Sequence, residues 1–113
     1  MQDHSVSIGF ASDLVPLIQN GTKTLTYRVG DKYTFLNVGD IIPIRDSATN
    51  KIFADVEITE KSYTTFKDLP IDRSGHEVYP SKEKQRETFK KYYGDVEDES
   101  KILILGFKVL KFY

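Results

Sequence analysis

The chain has no cysteine. That excludes a disulfide framework, a thiol nucleophile and a cysteine zinc site. It has only two histidines, His4 and His76, too few for a histidine-rich metal site. No metal and no cofactor is therefore expected. Its net charge is only -1, which gives no strong field to draw in nucleic acid. RNA binding would have to rest on a local basic patch. No apolar run approaches the roughly 20 residues of a membrane span, and no signal peptide opens the chain. The expectation is a cytoplasmic protein without a membrane partner. There is no internal repeat and no low-complexity segment. What remains is 113 residues, 39% hydrophobic and 29% charged. That composition is globular, and the length suits one domain, residues 1–113, with a modest core. Nothing in the sequence sets an oligomeric state.

The chain is organised around Gly21-Thr22-Lys23-Thr24-Leu25-Thr26-Tyr27-Arg28. A helical apolar pattern stops at Gly21, the usual residue for a left-handed helix end. An alternating pattern starts at Thr24. In a strand, Leu25, Tyr27 and Val29 point one way and Thr24, Thr26 and Arg28 the other. The first set reads as core. The second places hydroxyls and a fixed positive charge on one face, which in many sheets is only the solvent side.

Upstream, Ser5 to Ile8 alternates like a short strand, and Ser12 is placed to cap a helix carrying Leu14, Leu17 and Ile18 on one face. Pro16 is tolerated in its first turn. Downstream, Val29 to Lys32 is a turn. Tyr33 to Val38 is irregular, anchored by Phe35 and Leu36. Gly39-Asp40 is a second turn. Ile41 to Ile44 is a strand that Pro43 pushes toward an edge or bulge. Asp46 to Lys51 is a polar turn. Ile52 to Thr59 is the clearest strand, with Ile52, Ala54, Val56 and Ile58 on one face. Tyr63 to Leu69 has room for one helical turn. Pro70 to Pro80 is a loop, long enough to be functional. Ser81 caps a second helix that runs to Tyr93 and stops at Gly94. Its narrow apolar stripe is Gln85, Phe89 and Tyr92. Asp95 to Ser100 is an acidic turn. Ile102 to Leu110 is dense in Ile, Leu and Val, as in a central strand covered on both faces. The order strand, helix, strands, helix, strand suits a small β-barrel with two helices against it. An open α+β sheet is the competing arrangement.

Gly21-x-Lys23-x-x-Thr26-x-Arg28 resembles the signature of the ASCH domain, a member of the PUA-like superfamily, usually Gly-x-Lys-x-x-Glu-x-Arg. Gly39-Asp40 before a strand and a final strand with Phe107-Lys108-Val109 are similar to its later markers, so the resemblance spans nearly the whole chain. It implies an α+β, mainly β fold: a PUA-like small β-barrel with two flanking helices. Thr26 stands where many ASCH domains carry Glu. A small bacterial subgroup that deacetylates N4-acetylcytidine also has Thr there. That resemblance implies a catalytic set of Lys23, Thr26 and Glu77, with Glu77 matched by its place in the loop ahead of the Ser81 helix.

Amide hydrolysis needs a nucleophile, a proton acceptor and a partner for the oxyanion. Thr26 offers the hydroxyl. Lys23 is the base if burial or a neighbouring cation makes it neutral. If Glu77 keeps Lys23 charged, Lys23 is the oxyanion partner and Glu77 the base on Thr26 or water. Lys23 and Thr26 lie three positions apart, so in an ideal strand they face opposite sides. They meet only if Lys23 belongs to the turn after Gly21 or a bulge intervenes. Arg28 binds substrate or pairs with an acidic neighbour. Tyr79 and Tyr92 offer stacking surface for a base. His76, a loop histidine with no partner in view, reads as a surface residue. The partner is then a nucleoside small molecule. The alternative is a non-catalytic RNA-binding PUA-like module using Lys23, Arg28 and the helix run Lys82, Lys84, Arg86, Lys90 and Lys91. Glu83 and Glu87 interrupt that run, which also suits a solvated, internally paired helix face.

Overall fold

The structure, a computed structural model, describes residues 6–113. His4 and Ser5 lie outside the described residues. The strands are β1 (Ile8–Phe10), β2 (Leu25–Val29), β3 (Ile41–Asp46), β4 (Lys51–Thr65) and β5 (Lys101–Phe112). The helices are α1 (Val15–Gln19) and α2 (Lys82–Tyr93). One sheet, in the order β1-β3-β4-β5-β2, contains all five strands. It is antiparallel except where β1 runs parallel to β3, with Ile8 beside Ile44. The sheet curls into a half-barrel carrying the two helices, so the small-barrel expectation holds. The curl stops short of a ladder between β1 and β2, and those strands face each other across an open seam.

The final strand is central, between β4 and β2. Ile102 to Phe107 are buried without interruption. Leu103, Leu105 and Phe107 join one apolar cluster with Ile8, Ile44 and Ile58. Ile102 and Ile104 join a second with Phe66 and Phe89. Each such side chain fully buried contributes about 1.5–3 kcal/mol of transfer free energy. The Ser81 hydroxyl accepts from the Lys84 N–H at 3.2 Å, and Gly94 caps the C-terminus of α2, as the caps predict.

Several local expectations are corrected. Among the described residues the first strand begins at Ile8, with Val6 and Ser7 outside it. Ser12 is not a helix cap: its hydroxyl donates to Asp46 Oδ1 at 2.6 Å. A 3-10 turn, Ser12–Leu14, precedes α1. Phe35 is not an anchor but lies 54% exposed, whereas Tyr33 and Leu36 are buried. The turn closed by the Leu36 N–H on the Tyr33 carbonyl puts residues 33 and 36 on the same side. β4 runs on to Thr65, beyond the expected Thr59, and the helical turn is confined to Phe66–Asp68. Pro43 lies just ahead of the start of β1, whose pairing covers only Ile44 to Asp46. A bulge follows it between Ile44 and Arg45.

Candidate active site

The seam is bridged by a side chain where backbone pairing is missing. Arg28, on β2, donates from Nη2 to the Gly9 carbonyl of β1 at 2.8 Å. It donates from Nε to Thr26 Oγ1 at 3.0 Å. Its guanidinium carbon sits 4.9 Å from the Phe10 ring centroid and 5.2 Å from that of Tyr33, positions that favour a cation. No carboxylate pairs with Arg28 among the described residues, so the expected acidic neighbour is replaced by a carbonyl and a hydroxyl. Alternation along β2 puts Thr26 on the same face as Arg28, yet Thr26 is only 4% exposed. The polar row therefore lines an interior cleft and not the outer solvent side.

Lys23 reaches that cleft because it is not part of the strand. Asn20 caps the end of α1, Gly21 takes a φ of 82°, and the Lys23 N–H donates to the Leu17 carbonyl at 2.9 Å. The connector so formed removes the alternation conflict with Thr26. Lys23 Nζ contacts Glu77 Oε2 at 2.7 Å, with side-chain exposures of 3% and 30%. Burial lowers the Lys23 pKa, Glu77 opposes that shift, and the net direction is downward. Burial alone would raise Glu77, but the charge and hydrogen bond of Lys23 bring it below the usual carboxylate value. The two shifts pull against each other. At 2.7 Å the direct contact decides, and the pair is ionic at neutral pH.

Glu77 is held by the 70–80 loop, which is tied to the start of β2. The Gly75 carbonyl accepts from the Thr24 N–H at 2.8 Å and the Leu25 N–H at 3.1 Å. Gly75 has a φ of 90°, and a Cβ there would collide with the Thr24 hydroxyl. Glycine is required on both counts. The Tyr79 N–H closes the loop on the Ile71 carbonyl at 2.8 Å.

His76 is the main surprise in this loop. It is not a surface residue: its side chain is 6% exposed. Its ring stacks on Tyr27, with centroids 3.9 Å apart and planes 7° from parallel. Burial and the Lys23 ammonium lower its pKa to about 4, so it is neutral at physiological pH. The Tyr27 hydroxyl is buried with no hydrogen-bond partner among the described residues.

These groups surround a cavity of about 450 Å³, within the range of roughly 300–1,000 Å³ usual for small-molecule sites. Lys23, Thr26, Arg28, Glu77, Tyr79 and Tyr92 all line it. The residues singled out from sequence thus come together in one place. Tyr92 is 49% exposed and stands at the mouth, while burial raises the Tyr79 phenol. Phe10, His76 and Tyr93 also line the cavity and were not foreseen. Tyr93 donates its hydroxyl to the Tyr27 carbonyl at 3.2 Å, which ties α2 to β2. The i+1 neighbour of a cavity tyrosine was the available signal for Tyr93. Phe10 had none, since its strand was read too early. Among the described residues no group of three or more His, Cys, Asp or Glu side chains is placed to hold a metal ion.

No protein-family profile matches the sequence, and no curated protein matches it either. Solved structures do. An Enterococcus faecalis protein ascribed to DUF984 superposes with a TM-score of 0.70 at 19% identity, covering 89% of this chain and 72% of its own. The ASCH domain from Lactobacillus crispatus gives a TM-score of 0.63 at 18% identity, covering 95% and 81%. The fold is that of an ASCH domain. ZmASCH from Zymomonas mobilis agrees, with a TM-score of 0.64 at 15% identity and coverage of 95% and 71%. At such identities the likeness of these ASCH domains to this chain is one of fold. No helix among the described residues is long and apolar enough to cross a membrane.

The cations of α2 in this ASCH fold are mostly engaged. Lys84 pairs with Glu87 at 3.2 Å, Lys90 with Asp95 at 3.6 Å, and Arg86 with Asp98. Lys82 donates to the Phe66 and Leu69 carbonyls and to Gln85 Oε1.

Proposed function

We propose that this protein is a small amidohydrolase acting on an acylated cytosine nucleoside such as N4-acetylcytidine. The observation that carries the reading is the Lys23–Glu77 ion pair, 2.7 Å long with the lysine buried and the glutamate half-buried, beside Thr26 in a cavity walled by tyrosines. A buried charge pair is expensive to desolvate and is weak evidence of stability. In a cleft, perturbed groups of this kind more often serve chemistry.

In this mechanism the Arg28 Nε–H occupies one lone pair of Thr26 Oγ1 and favours negative charge there. Glu77 takes the Thr26 proton as the oxygen attacks the acyl carbon. The Lys23 ammonium stabilises the oxyanion and then gives a proton to the departing nitrogen as the C–N bond breaks. The proton on Glu77 returns to Lys23. Water then gives a proton to Glu77 as it attacks the acyl carbon, the Thr26 oxygen takes that proton as the ester bond breaks, and the acid leaves as acetate with its proton lost to solvent. Tyr79 and Tyr92 supply the faces on which the base stacks. The pairing of Lys84, Arg86 and Lys90 with carboxylates supports a small molecule over an RNA polymer.

The test is incubation of the purified protein with N4-acetylcytidine and measurement of cytidine and acetate. Turnover with an acetyl adduct on Thr26 is the expected result. Turnover that survives Thr26→Ala but not Glu77→Gln would replace the threonine nucleophile with water. A folded wild-type protein that releases no acetate would end the amidohydrolase reading.

A further inference from the structure

We infer that His76 is a specificity-determining residue, whose unprotonated Nε2 accepts a hydrogen bond from the ligand's exocyclic N–H and so selects cytosine over uracil. This deepens the reading above, since it assumes that the cavity takes a pyrimidine nucleoside.

The contacts of the ring set which nitrogen carries its proton. Nδ1 faces two oxygens of Glu77, the backbone carbonyl at 3.1 Å and the carboxylate Oε2 at 3.5 Å. A carbonyl and an ionised carboxylate can only accept. The proton of the neutral ring therefore sits on Nδ1, where it donates to the carbonyl. Nε2 is left with a bare lone pair. It has no hydrogen-bond partner among the described residues, although the side chain is 94% removed from solvent and lines the cavity. Nε2 is not one of the unpartnered atoms sealed from solvent, so its lone pair opens to the cavity and is free to meet a ligand.

The ring is also fixed in direction. Tyr27 stacks on it at 3.9 Å, Tyr79 packs beside it at 5.9 Å, and Gly75 anchors the preceding backbone to β2. The groups facing it are Lys23, held by Glu77, and Glu77 itself. Burial and the Lys23 charge disfavour a second proton, and they outweigh Glu77, which favours one but is engaged by Lys23. An acceptor so placed, next to the carboxylate proposed to act on the acyl group, can take the N–H on the nitrogen that carries that group. Cytosine and its N4-acyl derivative have this N–H. Uracil has an oxygen in its place, which would set lone pair against lone pair. A site built around one hydrogen bond rejects the analogue that lacks the donor.

The experiment measures equilibrium binding of cytidine and uridine, neither of which is turned over. The wild-type protein is expected to bind cytidine at least about 10-fold more tightly, the size of one buried hydrogen bond. His76→Asn keeps an amide N–H near Nδ1 but removes the acceptor, and should bring the ratio close to one. His76→Gln can place a carbonyl oxygen near Nε2 and should restore part of it. As a readout independent of any variant's folding, 15N spectra of the wild-type imidazole should show the Nδ1–H tautomer. The Nε2 resonance should then move on adding cytidine but not uridine. Equal wild-type affinities, an unchanged ratio in a folded His76→Asn, or an Nε2–H tautomer would each overturn the proposal. Hydrolysis of N4-acetylcytidine without discrimination sinks the role of His76 and leaves the amidohydrolase standing. Discrimination without hydrolysis does the reverse, and failure to bind either nucleoside removes both.

Discussion

The β4–β5 ladder and the β1–β2 seam belong to one sheet and are built on opposite terms. Along the ladder, backbone groups pair from Ala54 with Phe112 to Thr65 with Lys101, and apolar side chains fill both faces of β5. Across the seam no ladder forms, and the link is a guanidinium on a carbonyl, Arg28 to Gly9. The seam leaves a cavity and lines it with groups whose hydrogen bonds are few and directed. Stability is concentrated where the backbone is satisfied, and chemistry is available where it is not.

Substitutions should separate these two economies. The largest effect is expected at the seam, in activity. Thr26→Ala should lower turnover of N4-acetylcytidine by several orders of magnitude. Its cost in stability should stay near about 1 kcal/mol, one hydrogen bond from Arg28. A steady-state assay beside a urea melt checks both. In the ladder the pattern should invert. Ile58→Ala deletes a fully buried side chain and should cost about 2–5 kcal/mol, with cytidine affinity unchanged in the folded fraction. If Ile58→Ala instead altered affinity as strongly as stability, ladder and seam would not be separate in this way.

Acid should act on the seam next. His76 is held at about 4 in the folded protein against about 6.5 unfolded. Folding therefore favours the neutral ring. That contribution is complete above about pH 6.5 and is lost as the pH falls toward 4, by on the order of 3 kcal/mol. Glu77, also lowered, adds a further loss below its own unfolded value. Urea titrations at pH 7, 5.5 and 4 should show the decline, and His76→Phe should flatten its upper part. The smallest effect belongs to the outer surface. Lys67 and Glu99 pair at 2.7 Å with side chains 51% and 71% exposed. Lys67→Ala should change stability by less than about 0.5 kcal/mol, within the error of the same titration.

Much of this arrangement is legible in the sequence because it is local. Gly21, Ser81 and Gly94 mark helix ends through the conformations that neighbouring residues need. The unbroken apolar run in β5 announces a strand covered twice. Lys23, Thr26 and Arg28 sit within one short motif, so their shared cavity follows from the element boundary at Leu25. What is not legible depends on contacts between distant segments. The burial of His76 comes from Tyr27, which no spacing in the 70–80 loop reveals. The true length of β4 is hidden because Glu60-Lys61-Ser62 interrupts its apolar alternation. Those residues still pair with Gly106, Leu105 and Ile104, so the backbone ladder extends the strand where the side chains do not advertise it. Phe35 misleads for the converse reason: an apolar residue in a turn can face water when its neighbours Tyr33 and Leu36 fill the space.

The missing ladder also has a consequence in time. A strand hydrogen-bonded on one side can move its free edge without breaking the sheet, and openings of that kind cost far less than global unfolding. Backbone amides of β5 should exchange with deuterium only on the slowest timescale. Amides of β2 that face β1, and those of the loop around Gly75, should exchange much sooner, through excursions that leave the two apolar clusters intact. The cavity can therefore admit and release its occupant on the clock of the seam, while the clock of the fold runs separately.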